Sequence, residues 1–262
     1  MFTKIKRQSN FSFMINLVLC LGMFLSLNCS KDSPIIPGPE EKPLLTLTAY
    51  YSLDIPEPSG LAFTIDGKNL WTVSDKTNKV YKISLTGKIL KTLSYHGNDL
   101  EGVTQNPLDS TIWIAEESKA EIVQLDSNGV ELRREHPPVD GGNSSLEGIT
   151  INTQNNHLFL VKEKNPLVLI ELDNSLEIIK YKRVNFAEDL SGIFYDGQNQ
   201  NLWITSDQSK KVFKTDLEGK VLQEFSVEVD KVEGIVVDVG NNLIYLVSDE
   251  TERLYIFSIN NF

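Results

Sequence analysis

Cysteine is scarce in this chain of 262 residues: only Cys20 and Cys29 are present. Cys20 lies inside an apolar stretch that a processed protein loses, so no disulfide framework and no thiolate zinc cluster can be built. Histidine is as rare. His96, His136 and His157 lie far apart in the sequence, and each is more simply an exposed or capping imidazole than a metal ligand. Basic charge is also short, with 25 Lys and Arg against 36 Asp and Glu and a formal net charge of −11. A nucleic-acid partner is excluded on that ground, because phosphate contacts need clustered cations. Apolar residues form one extended segment, FMINLVLCLGMFLSL at 13–27, which is too short for a bilayer-spanning helix.

That segment follows Lys4, Lys6 and Arg7, and ends at Leu27-Asn28-Cys29-Ser30. The order of basic start, apolar run and Leu-x-x-Cys-like end resembles the processing site of a bacterial lipoprotein. Residues 1–28 are therefore predicted to be a lipoprotein-type signal peptide. Residues 29–43 would be a lipidated Cys29 followed by the Pro-rich tether SKDSPIIPGPEEKP. Acyl chains hold a domain at a membrane without spanning it. The expected location is extracytoplasmic, in the bacterial cell envelope at the outer membrane.

Residues 44–262 repeat. The segments PSGLAFTIDGKNLWTVSD, LEGVTQNPLDSTIWIAEE, LEGITINTQNNHLFLVKE, LSGIFYDGQNQNLWITSD and VEGIVVDVGNNLIYLVSD align without a gap. Their glycines are Gly60, Gly102, Gly148, Gly192 and Gly234, spaced by 42, 46, 44 and 42 residues, and eleven residues after each stands Trp71, Trp113, Phe159, Trp203 or Tyr245. Each unit contains a short apolar strand, a polar turn, a strand led by the aromatic, and an alternating third strand such as VYKISL or LYIFSI. The first four units add a fourth strand, and the fifth ends too soon to make one. Four antiparallel strands at this period are the signature of a propeller blade. The fold predicted is all-β: a five-bladed β-propeller, its last blade completed by the N-terminal LTLTAYYSLDI at 45–55, expected as a monomer. Such closure leaves the ring without an open junction between its ends. The aromatic column is predicted to pack between neighbouring blades, and the glycine column to be a backbone constraint where the first strand enters.

Two further columns carry chemistry. The residues before the glycines are Ser59, Glu101, Glu147, Ser191 and Glu233; those sixteen positions later are Asp75, Glu117, Glu163, Asp207 and Asp249. In a propeller the first strand lines the channel and the second runs back beside it, so both columns meet at one rim. Hairpin neighbours sit roughly 5 Å apart, which predicts proximity for pairs such as Glu101 and Glu117. Eight carboxyl groups at one mouth raise one another's pKa unless a cation neutralises them. Oxygen donors without thiolate or imidazole suit a hard cation, Ca²⁺ above all. The expected ligands are Glu101, Glu147, Glu233, Glu117 and Glu163, with Asp75, Asp207, Asp249, Lys162, Ser59 and Ser191 on the cavity rim. Asp75 and Asp249 are equally accounted for as starts of solvated turns, and Lys162, beside Glu116 in the adjacent column, as an ion pair within the acid ring.

The x-Glu-Gly entries, DLSG at 189–192, KEKNP at 162–166 and VEGIVVD followed by IYLVSDE resemble the SdiA-regulated, or YjiK-like, family of bacterial envelope proteins. The resemblance covers residues 45–262. It implies a five-bladed propeller, distantly similar to NHL-repeat proteins, with a calcium site. Two functions stay open: a tethered binding or scaffolding module for a protein, glycan or small molecule, and a calcium-dependent hydrolase of phytase-like or lactonase-like type. In the hydrolase reading Lys162 holds an anionic group and Glu163 or Glu147 is the general base.

Overall fold

The computed structural model describes residues 44–139 and 145–260. The signal peptide, Cys29 and the tether lie outside the described residues. Twenty strands, in five four-stranded antiparallel sheets, account for the regular structure. Blade 1 holds β2 (Pro58–Phe63), β3 (Asn69–Ser74), β4 (Lys79–Ser84) and β5 (Ile89–His96). Blade 2 holds β6 (Leu100–Gln105), β7 (Ile112–Glu116), β8 (Glu121–Leu125) and β9 (Glu131–Glu135). Blade 3 holds β10 (Leu146–Ile151), β11 (Leu158–Lys162), β12 (Val168–Leu172) and β13 (Ile178–Arg183). Blade 4 holds β14 (Gly192–Asp196), β15 (Asn201–Ser206), β16 (Lys211–Thr215) and β17 (Val221–Ser226). Blade 5 joins both ends of the chain: β18 (Val232–Asp238), β19 (Leu243–Ser248) and β20 (Arg253–Asn260) are completed by β1 (Leu44–Ser52). The β1–β20 ladder runs antiparallel from Leu44 opposite Asn260 to Ser52 opposite Arg253, with one irregularity at Leu47/Ala49.

Burial explains the composition of each strand. Inner and middle strands such as β7 (IWIAE), β11 (LFLVK) and β12 (VLIEL) are buried along their whole length, because they are covered on both faces by neighbouring blades. The outer strands β9 (ELRRE) and β13 (IIKYKR) are largely exposed and are correspondingly polar. The core is divided into five apolar clusters, each shared between consecutive blades. Trp71 joins Leu100, Val103 and Ile112 of blade 2, and Tyr245 closes the circle against Leu61, Leu70 and Ile83 of blade 1. The aromatic column is thus the seam between blades.

On the axis, the five column glycines and the residues that follow them surround a constriction of only about 10 Å³. A Cβ on Gly102 would stand 2.8 Å from the backbone nitrogen of Ile149, and one on Gly192 would stand 2.7 Å from the carbonyl oxygen of Glu233. First strands of adjacent blades approach too closely there for any side chain. The constriction is about the size of one water, and it divides the axis into two chambers.

Candidate functional site: an acid-lined mouth on the propeller axis

Local backbone geometry decides where the entry glutamates go. In blade 2 Leu100 opposes Glu116 and Gly102 opposes Ala115, which leaves Glu101 unpaired between them. The same register shift falls at Glu147 in blade 3 and at Glu233 in blade 5. A β-bulge bends its strand and re-aims the extra residue, and here the extra residue is the carboxylate beside the axis. Blades 1 and 4 have serine at this position. Ser59 Oγ donates to Glu101 Oε2 at 2.7 Å and to the Glu101 carbonyl oxygen at 2.9 Å, and Ser191 Oγ donates to the Val232 carbonyl oxygen at 2.6 Å. Both serines therefore tie one blade to the entry of the next.

The exit residues are held by a repeated clip. The amides of Asp75, Glu117, Glu163 and Asp249 donate to the carbonyls of Glu57, Asp99, Ser145 and Lys231 at 3.3, 2.9, 3.1 and 3.0 Å. These acceptors form a further column, three residues before each glycine, which the same period displays and which the two-column reading passed over. Asp189 is its member in blade 4. Its buried carboxylate accepts from Ser206 Oγ and from the Gln208 amide at 3.1 Å.

The chamber so formed has a volume of about 260 Å³ and is lined by Glu57, Ser59, Asp75, Glu101, Glu117, Glu147, Glu163, Asp189, Ser191, Lys231, Glu233 and Asp249. Nine of these twelve are carboxylates and one is a cation. Within the chamber, carboxylate oxygens of Glu117, Glu147 and Glu163 lie within 4.8 Å of one another; those of Asp75, Asp99 and Glu101 do too, with Asp99 standing outside the lining. The bulge takes Glu101 out of the ladder, so it clusters with Asp75 of the preceding blade, while Glu117 reaches across to blade 3; the Glu117 charge is still near enough to push the Glu101 carboxyl up.

Two residues expected on the rim are elsewhere. Lys162 is the last residue of β11, one position before Glu163, and strand alternation turns it off the mouth; it is buried and donates to the Lys164 carbonyl oxygen at 2.6 Å. The lining cation is Lys231 instead. Asp207 accepts from the Lys231 amide at 2.7 Å and pairs with Lys210 at 3.0 Å, so it fastens the start of blade 5 and does not line the chamber. Glu116, in the same column as Lys162, is likewise turned between blades 1 and 2, where Tyr95 and Arg134 bind it. None of the three histidines lines the mouth: His96 is exposed, His136 sits 3.0 Å from Glu121, and His157 sits 2.9 Å from Glu171.

Burial dominates the electrostatics. Glu101 and Glu147 are each only 8% exposed. Desolvation pushes both well above the ordinary carboxylate value, and neighbouring carboxylates push further, while the Ser59 hydrogen bond opposes the rise at Glu101. Burial raises Glu233 to about 8 despite Lys231 nearby, and raises Asp75 to about 7 with help from Glu57 and Asp249. A carboxyl raised in the folded state binds more protons there than when unfolded, so its stabilisation is full below its ordinary value near 4.5 and is lost as pH climbs towards 8. In EDTA the thermal midpoint is therefore expected to fall between pH 5 and pH 8, and saturating Ca²⁺ is expected to remove most of that fall. Melting curves at both pH values measure it; a flat profile in EDTA would mean that the carboxylates are solvated.

A five-bladed propeller with an axial chamber of oxygen donors, open to a hard cation, is the class that fold and site define. The chain belongs to the SdiA-regulated family, whose model matches residues 54–258. Among solved structures it is similar to the glutaminyl cyclase of Myxococcus xanthus, at 14% identity and a TM-score of 0.66 over 83% of this chain and 97% of that one. It is also similar to XC5397, a gluconolactonase from Xanthomonas campestris, at 10% identity and a TM-score of 0.56 over 84% and 95%. At these identities the likeness is one of fold.

Proposed function

We propose that the protein is a lipid-anchored, cation-loaded binding module of the bacterial cell envelope. Ca²⁺ in the carboxylate mouth rigidifies that end of the propeller, and the loop face recognises a protein, glycan or small molecule. The observation that carries this is Glu147. Its carboxylate is buried and lines the chamber without a hydrogen-bond partner among the described residues, beside oxygens of Glu117 and Glu163. An uncompensated buried carboxylate is costly, and a divalent cation removes the cost. The donor set fits: Ca²⁺ takes six to eight oxygens in a flexible shell, and the chamber offers carboxylates and hydroxyls with neither thiolate nor imidazole. Glu117, Glu147 and Glu163 would hold it, with Glu101 and Glu233 close enough to share its field. The membrane anchor rests on the apolar segment and Leu-Asn-Cys-Ser at 27–30.

A hydrolase is the second reading, favoured by a propeller scaffold like those of the glutaminyl cyclase and the gluconolactonase. Glu147 or Glu163 would then act as general base, and Lys231, not Lys162, would meet an anionic group. Against it, the Ser191 hydroxyl is donated to the Val232 backbone carbonyl, which is no base, and the Ser59 hydroxyl is shared between the Glu101 carboxylate and the Glu101 backbone carbonyl.

Thermal unfolding of the full chain with Ca²⁺, Mg²⁺ or EDTA tests the cation. Ca²⁺ at a hundredfold excess over its dissociation constant should add about 2.7 kcal/mol of stability, and Glu147→Gln should abolish the gain. A midpoint that neither Ca²⁺ nor EDTA moves would defeat both readings, since both need the ion. Turnover of a lactone by the Ca²⁺-loaded chain would decide for the enzyme.

A further inference from the structure

The second axial chamber lies beyond the glycine constriction, at the opposite end from the acid mouth. It has a volume of about 260 Å³ and opens into a wider depression of about 500 Å³ that shares Phe63, Ile65 and Phe194. Together they are in the size range of small-molecule sites, roughly 300–1,000 Å³. In a chain with 36 acidic and 25 basic residues, no Asp, Glu, Lys, Arg or His lines this inner chamber. At the outer opening Asp196 and Asp238 are occupied by their own turns, accepting from Asn199 Nδ2 at 2.9 Å and Asn241 Nδ2 at 2.8 Å.

The walls differ in character. Blades 2 and 3 contribute Thr104 and Thr150, each 5% exposed, at the position two residues after the axial glycine. The Thr104 hydroxyl has no hydrogen-bond partner among the described residues. Thr150 Oγ1 accepts from the Tyr195 amide at 3.0 Å, which leaves its proton free. The Tyr195 hydroxyl is buried and likewise unpaired. Blades 1 and 4 place Phe63 and Phe194 at the chamber, edge to face with ring centroids 6.2 Å apart.

We propose that this chamber is a second ligand site, independent of the cation, that takes an uncharged sugar ring. A sugar's hydroxyls both donate and accept, as the threonine hydroxyls do, and its C–H face suits an aromatic wall. An anion finds no cation here and a cation finds no free carboxylate. A wholly apolar ligand would strip water from buried hydroxyls and return nothing, an unfavourable exchange.

The test is saturation-transfer NMR and calorimetry on the full chain, in buffer free of sugar-headed detergents, with glucose, galactose and N-acetylglucosamine as probes and glucuronate as the charged comparator. Saturable binding of at least one neutral sugar is expected, with glucuronate at least tenfold weaker. Thr104→Val should weaken it about fivefold, the worth of one neutral hydrogen bond. Thr104→Ser, which keeps the hydroxyl, should retain binding and separates loss of the contact from misfolding. EDTA should change nothing. The proposal is overturned if none of the three sugars saturates, if glucuronate binds equally, or if Thr104→Val binds as wild type. Loss of binding in EDTA would also overturn it, by moving the site to the mouth.

Discussion

Gly234→Ala is expected to destabilise the ring where its two ends meet, by about 3 kcal/mol or more. An added Cβ would stand 2.6 Å from the carbonyl carbon of Gly60 and 2.8 Å from the backbone nitrogen of Leu61. Both contacts are backbone of blade 1, so neither can move without displacing β2 from the axis. Blade 5 is also the sheet that β1 completes, and a displaced β18 strains that closure. For a chain of this size the thermal midpoint should drop by roughly 6–12 °C. Gly240→Ala is the control: its Cβ would meet nothing nearer than Asp238 Oδ1 at 3.6 Å, and the variant should melt within about 1 kcal/mol of wild type. If the two variants melt alike, axial close approach is not what fixes the glycine column.

Arg134→Ala should cost about 3 kcal/mol, read from urea unfolding. Arg134 Nη1 donates to Glu116 Oε2 at 2.8 Å and also to Glu121, while Nη2 donates to the Tyr95 hydroxyl at 2.9 Å and pairs with Glu131 at 2.8 Å. Glu116 and Glu121 are 1% and 3% exposed. Removing one partner of a buried pair leaves an uncompensated charge, which costs about 3–5 kcal/mol; the 28% exposure of the arginine side chain puts the effect at the lower end. Arg134→Met combined with Glu116→Gln and Glu121→Gln should recover part of the loss. A cost below about 1 kcal/mol would mean that the network is solvated and does not lock blade 1 to blade 2.

The propeller was legible because its signals are local and repeated. A glycine, an aromatic eleven residues later and a polar turn between them recur five times, and a missing fourth strand in the last unit points to the strand before the first. The mouth was legible in part for the same reason: Glu101, Glu147 and Glu233 share a column that the axis must gather. Lys162 and Asp207 were assigned to the rim from their distance to the glycine, yet a side chain's direction at a strand end depends on one residue of register. The same uncertainty hid Asp99, Asp189 and Lys231, which stand three residues before the glycine, where the chain leaves one blade for the next.

What the sequence determined by itself is the number of blades, the strand that closes them, the aromatic seams and the collection of acids at one end of the axis. These follow from hydrophobic periodicity and repeat spacing, which are properties of the chain read along its length. Tertiary structure alone decided the rest. Bulges at Glu101, Glu147 and Glu233 aim those carboxylates inward, Glu117 joins a cluster in the neighbouring blade, and Glu116 turns away to meet Arg134. The constriction at the glycines separates an acid chamber from a neutral one. Each of these is set by how closely five first strands pack around one axis, a distance that no single repeat contains.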